Sequence, residues 1–218
     1  MKGFVQMQIV VVEQQPDAPA GLIGEWATAR GHEIRVVRVH ASDPWPAAGE
    51  VQRAVVLGSD RSVHDDPPEW VAREIAWLRS VADADRPVLG LCFGGQALAA
   101  ALGGEVRRAA QPEIGWVDVA GEVAGTWFAW HFDTFSAPPG ARELGRNASA
   151  LQGFAVGPHV GLQFHPEVTP AIVDDWISVG GRDLDSQRLD AASIRERTAR
   201  ESDRARAAAF ELFDRWAR

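Results

Sequence analysis

Short apolar runs alternate with amphipathic stretches along the first half of the chain. Residues 5–12 (VQMQIVVV) predict a buried strand, and Pro16 and Pro19 mark a turn after it. Residues 21–30 predict a helix with Leu22, Ile23 and Trp26 on one side, ended by Gly31. Residues 33–39 are rich in β-branched side chains, and residues 54–57 (AVVL) form another short apolar run before Gly58. Asp65-Asp66 reads as cap chemistry, with Pro67 and Pro68 in the first turn of a helix. Val71, Ile75 and Leu78 follow as one buried helical stripe. Residues 87–91 (PVLGL) predict a strand, and residues 95–102 a helix stopped by Gly103-Gly104.

This alternation predicts an α/β fold: a mostly parallel, flavodoxin-like sheet flanked by helices on both faces. From residue 105 to 163 the pattern changes. Strand-like runs at 117–119, 127–130, 151–156 and 160–164 succeed one another across Gly/Pro turns, which predicts a small antiparallel addition to the parallel core. Residues 169–179 return to helix, and the polar residues 180–190 predict a loop. The last helix places Ala209, Leu212, Phe213 and Trp216 on one packing face. Trp70, Trp77, Trp176 and Trp216 read as packing residues. Residues 1–218 read as one domain.

Composition narrows the function. The chain is 46% hydrophobic and 24% charged, as a globular chain is. Its formal net charge is −8 with no basic stripe, which argues against a nucleic-acid partner. Lys2 is the only lysine, so a GxxxxGK[ST] phosphate loop is excluded, and any ATP chemistry must come from another polypeptide. Glu13 ends the first apolar run too early for a membrane span, and no convincing cleavage signal precedes it. The expectation is a soluble cytoplasmic protein with no membrane partner.

Cys92 is the only cysteine, which excludes an internal disulfide and a multi-cysteine metal site. It stands where a strand runs into a helix, with Gly90 and Gly94 on either side. That is the pattern of a nucleophile elbow, in which small neighbours let a tight turn push the nucleophile out at the sheet's carboxyl edge. A helix N-terminus there favours a thiolate. A buried structural cysteine and a redox-sensing thiol are the competing readings.

Gly161-Leu162-Gln163-Phe164-His165-Pro166-Glu167 ends a later strand, and Pro166 holds His165 extended. Glu167 is near enough in sequence to orient the imidazole. Cys92 as nucleophile, His165 as base and Glu167 as orienter make a triad.

GLCFGGQ followed by QFHPE resembles the class I, triad-type glutamine amidotransferase family, including the glutaminase half of GMP synthase. The GSDRSVHDD, PEIGW and WHFD segments fall in the same family order. The resemblance implies hydrolysis of the γ-carboxamide of L-glutamine through a thioester on Cys92, with no cofactor and no metal. It also implies oxyanion donors at the backbone N–H of Phe93 and of Ser59, in a loop where this sequence has Gly58-Ser59-Asp60 and the family commonly has Gly-Gly-Pro. Two readings of that departure stay open. The loop is preset with the Ser59 N–H aimed at the site, or it must flip when a partner binds.

By the same resemblance Gly58, Gln96, His131 and Asp133 line the substrate site, with Asp133 opposite the substrate ammonium. The Glu113–Trp116 stretch borders the cleft. A separate synthetase subunit is the expected consumer of ammonia. A γ-glutamyl amide or peptide is the alternative substrate, and a non-catalytic partner-binding module the alternative of another class.

Overall fold

The computed structural model describes residues 6–218. Val5, at the start of the predicted first strand, and Met1 to Phe4 before it lie outside the described residues.

Among the described residues nine strands form one sheet in the order β2-β1-β3-β4-β9-β8-β7-β5-β6. The parallel part comprises β1 (Gln8–Glu13), β2 (Glu33–Arg38), β3 (Arg53–Val56), β4 (Val88–Leu91) and β9 (His159–Leu162). Ile9, Val10, Val11 and Val12 are all buried, as expected of a strand covered on both faces. Successive side chains point to opposite faces. Ile9 and Val11 pack with Trp26 of α1 (Leu22–Arg30) and Phe213 of α6 (Ala191–Trp216). Val10 and Val12 pack with Val71 and Leu78 of α2 (Glu69–Asp83) and Leu98 of α3 (Phe93–Ala101). Asp214 ties α6 to α1, accepting bonds from Trp26 Nε1 at 2.8 Å and from both ends of the Arg30 guanidinium.

The remaining strands are β5 (Val106–Gly121), β6 (Gly125–Phe135), β7 (Arg142–Arg146) and β8 (Leu151–Val156), and they pair antiparallel. The β5–β6 ribbon is much longer than residues 117–119 and 127–130 suggested. A register shift between Arg108 and Glu113, around Pro112, and Gly115 at φ 106° break its alternation. β7 was not expected. Its sequence, RELGR, is mostly polar and carries no strand signature.

Three further expectations are corrected. β9 belongs to the parallel core as well as to the antiparallel addition: it runs parallel to β4 and antiparallel to β8. A four-residue run does not say which neighbour it will take. Helix α2 starts after both prolines, with Pro68 extended at its N-cap and no side-chain cap. The residue before a proline is pushed out of the helical region, so Pro67 cannot begin the helix, and Asp66 sits at φ 48°. Residues 180–190 hold a short helix, α5 (Gly181–Gln187), rather than a plain loop.

Helix α4 (Pro170–Val179) starts at an N-cap Thr169 whose hydroxyl accepts from Ile172 N–H, with Pro170 next. Among the described residues no helix is long and apolar enough to cross a membrane.

Candidate active site

β4 and β9 lie side by side, with Gly90 opposite Gly161 and Leu91 opposite Leu162. Both chains therefore leave the sheet at the same carboxyl edge, the edge at which open α/β sheets hold ligands. Cys92 follows β4 directly, and His165 lies three residues beyond β9.

Cys92 sits at φ 51°, ψ −107°, a conformation L-residues rarely adopt, and α3 begins at the next residue. The turn is fixed from several sides. Cys92 N–H donates to Leu162 O at 2.8 Å, and Gln96 N–H to Cys92 O at 2.9 Å. Gly94 N–H donates to Leu57 O at 3.1 Å. The motif glycines are spacing requirements. A Cβ at Gly90 would stand 2.3 Å from Gly94 O, one at Gly94 2.1 Å from Val56 O, and one at Gly95 2.5 Å from Leu162 O. The buried thiol donates towards Trp130 O at 3.7 Å, and Gln163 Nε2 donates towards the sulfur at 3.8 Å.

His165 is held by its backbone N–H on Phe128 O at 2.8 Å. Its Nδ1 is 2.7 Å from Glu167 Oε1, and both side chains are almost wholly buried. Burial opposes a charged imidazole, but the Glu167 carboxylate and then the nearby Cys92 sulfur outweigh it, pushing the ring's pKa up to about 10. Gly58 walls one side of the ring, and Trp176 packs on it edge to face at 4.7 Å between centroids. Glu167 is anchored through its backbone: Leu22 N–H donates to Glu167 O at 2.8 Å. Gly21, at φ 47°, leaves room for that contact, since a Cβ there would be 2.2 Å from the same oxygen. The start of α1 thus sets the position of Glu167.

The loop after β3 brings Gly58 and Ser59 to the cavity that Cys92 and His165 line, about 360 Å³ in volume. Two bonds pin it. Asp60 N–H donates to Gln15 Oε1 at 2.7 Å, and Arg61 N–H donates to Ser59 Oγ at 3.1 Å. The Phe93 side chain is buried against Trp70, and its N–H stands in the first turn of α3, where no intrahelical acceptor exists.

The other expected substrate residues lie deeper. Gln96 Nε2 donates to Asp133 O at 3.1 Å. His131 has Nδ1 at 2.9 Å from Asp133 O and Nε2 at 3.2 Å from Glu113 Oε2. Asp133 Oδ2 accepts from Ser62 Oγ at 2.7 Å, while Oδ1 faces His64 and the exposed Arg108. All three side chains are buried and stand outside the lining of the cavity. Glu113 is also buried there, bonded to His131, Asn147 and Gln152 rather than bordering the cavity.

The lining instead includes Gln15, Asp17, Trp130, Trp176, Val179 and Arg182, none of which the sequence singled out as a site residue. Trp176, expected to serve packing alone, forms part of the wall. One signal was legible in retrospect: the Gly180-Gly181 pair after α4. A Cβ at Gly180 would stand 2.4 Å from Trp130 Cζ2.

The sequence model described as "Glutamine amidotransferase class-I" matches residues 23–176. The chain belongs to the class I glutamine amidotransferase family. Among curated relatives, the glutamine-hydrolysing GMP synthase of Aeropyrum pernix is 33% identical over 197 residues. That match covers 76% of this amidotransferase chain but only 37% of the synthase. A glutamine amidotransferase structure from Methylobacillus flagellatus superposes with a TM-score of 0.89 at 27% identity, covering 97% of this chain and 94% of the other. A Thermotoga maritima amidotransferase structure, 23% identical, has the same fold with a TM-score of 0.89, covering 98% and 99%.

Proposed function

We propose that this amidotransferase hydrolyses the γ-carboxamide of L-glutamine to glutamate and ammonia through a thioester on Cys92. The observation that carries the reading is the 2.7 Å His165–Glu167 pair in the cavity lined by the strained Cys92 turn.

The sulfur attacks the amide carbon, forming a C–S bond. The developing oxyanion is met by the N–H of Phe93 and that of Ser59, whose loop is preset by its bonds to Gln15 and within itself. This favours the preset reading of the loop over the flipping one. His165, protonated at neutral pH with Glu167 behind it, gives its proton to the leaving nitrogen as the C–N bond breaks. Once the sulfur is acylated it bears no negative charge, so one of the influences that hold the proton on His165 is gone. The ring, left neutral by that transfer, is then less readily reprotonated from solvent and stays available as the base for the water that cleaves the thioester. One residue so serves as acid and then base, with its pKa lowered between the steps.

The ammonia has a use only if something consumes it. The curated GMP synthases extend well beyond the part this chain matches. A separate synthetase subunit carrying the ATP chemistry is the proposed consumer.

The test is ammonia release from glutamine by the parent protein and by Cys92→Ala. The variant should fold and release none. Equal release by both would overturn the assignment of the nucleophile.

A further inference from the structure

Resting on the thioester reading, we propose that Asp133 is a positioning residue for the reaction. Its carboxylate grips the loop that carries the Ser59 donor, and its backbone holds the helix that carries the Phe93 donor. One residue of β6 thereby sets the spacing of the two oxyanion donors.

Those donors stand on different elements. Phe93 opens α3, and Ser59 lies in the loop after β3. An oxyanion is stabilised only where both N–H groups meet it at about 2.7–3.1 Å. The two elements touch directly where Gly94 N–H donates to Leu57 O at 3.1 Å. Past that bond the loop needs holds of its own. Gln15 supplies one, at Asp60 N–H.

Asp133 supplies another. Ser62 Oγ donates to Asp133 Oδ2 at 2.7 Å and accepts from His64 N–H at 3.2 Å and Asp65 N–H at 3.0 Å. That uses the hydroxyl's one hydrogen and both its lone pairs. The carboxylate therefore holds the backbone of the turn, not a side chain alone. His64 Nε2 at 3.3 Å and Arg108 Nη1 at 3.5 Å face its other oxygen. From the same residue, Asp133 O accepts from Gln96 Nε2 at 3.1 Å. Gln96 N–H in turn donates to Cys92 O, one turn back along α3.

Stability gives little reason for this arrangement. Burying a carboxylate is costly unless it is paired. The loop it holds is largely exposed: of residues 59–66 only Val63 is buried. What the bond secures is the place of Ser59, three residues before Ser62. The Asp133 side chain stands outside the cavity lining, so it acts through the loop and does not touch glutamine.

The experiment uses the parent protein, Ser62→Ala, Asp133→Ala and the double variant. It measures kcat and KM for glutamine and, separately, the rate at which methyl methanethiolsulfonate modifies Cys92. In that reaction an S–S bond forms on Cys92, the reagent's S–S bond breaks and methanesulfinate leaves, so no oxyanion arises. Each single variant should lower kcat by about 10–100-fold. KM and the modification rate should hold steady, and the double variant should be no worse than the more damaging single one. Asp133→Ala strands only His64 and Arg108, which both reach solvent, and Ser62→Ala carries the test alone should that variant not fold. An unchanged kcat, or losses that multiply in the double variant, would overturn the proposal. So would a modification rate that falls in step with kcat, which is general loosening of the site. A raised KM with kcat kept would overturn it too, by returning Asp133 to contact with the substrate. Ammonia release by Cys92→Ala equal to the parent's would instead overturn the thioester reading beneath it.

Discussion

Gly58 sits against His165 so closely that a Cβ at its position would be 2.9 Å from the ring carbon Cε1. The ring cannot retreat freely, because Glu167 holds its Nδ1 and Trp176 packs on it. Gly58→Ala must therefore turn the imidazole or shift the loop. Either moves a reacting group by a fraction of an ångström or more, and a misplacement of about 1 Å can cost on the order of 10²-fold. We expect kcat to fall by about that factor, with thermal stability nearly retained, as read by steady-state kinetics and a melting curve.

Glu167 makes His165 basic. The ring's pKa is raised from 6.5 to about 10, so this pair stabilises the fold fully below the unfolded value and loses its contribution as pH rises through about 10. The first turnover should follow the same group, with its alkaline limb falling near that value. Glu167→Gln removes the carboxylate's charge and offers the ring an amide instead. The alkaline limb should move to lower pH, and kcat should drop by about 10²–10⁴-fold, by the logic of a base left in the wrong tautomer. A rapid-quench pH profile of both proteins checks the shift. An unmoved limb would show that another group sets it.

The loop proposed to hold an oxyanion donor reads Gly58-Ser59-Asp60 and is fixed by its own bonds. Ser59 Oγ accepts from Arg61 N–H, and Gln15 accepts from Asp60 N–H, so the loop is pinned on both sides of the Ser59–Asp60 peptide. Gln15→Ala and Ser59→Gly should each lower kcat by about tenfold, less than the ~10²–10³ expected for loss of a donor itself. Steady-state kinetics with the thioester-forming step isolated would check both. An increase in Ser59→Gly would mean that the serine restrains the loop rather than presets it.

How much of this was legible beforehand differs by element. Strands β1 and β3, helix α1 and the glycine-flanked cysteine were readable because each declares itself within a few residues, through unbroken apolar runs or through Gly90-x-Cys92-x-Gly94. Cys92 and His165 arrive at one edge because β9 joins β4 in parallel, a long-range pairing that no local pattern encodes. The lining of the cavity was not legible for the same reason. Gln96, His131 and Asp133 stand near Cys92 in motif order but spend their polar atoms on one another and on Glu113 and Ser62. Trp176 and Arg182 reach the cavity from α4 and α5, where helical periodicity and polarity suggested packing and solvent.

Glu113 is the buried hub beneath the site. Burial would raise its pKa, but His131, Asn147 and Gln152 together hold it below the ordinary carboxylate value. A depressed carboxylate stabilises above its unfolded pKa and loses that contribution as pH falls through the folded one. Glu113→Ala should destabilise the protein by about 3 kcal/mol at neutral pH, because it strands buried partners. Urea titrations should show the gap between variant and parent narrowing in acid.

Glu74 behaves in the opposite sense. Wholly buried on α2, with Gln14 Nε2 donating to it at 3.0 Å, its pKa is pushed up to about 8 by burial. The folded state then binds a proton that the unfolded chain has released above about 4.5, so stability falls as pH rises from there towards 8. Glu74→Gln removes that penalty and keeps a partner for Gln14. The variant should gain stability over the parent increasingly across that interval, and a constant difference would contradict the buried carboxyl's role.

The most direct test is rapid acid quench of the amidotransferase turning over glutamine, followed by peptide mass spectrometry. The account predicts the mass of one γ-glutamyl group on the Cys92 peptide, accumulating further when water attack is slowed and absent in Cys92→Ala. Ammonia released at the full rate with Cys92 unmodified at every quench time, or the group found on another residue, would contradict it.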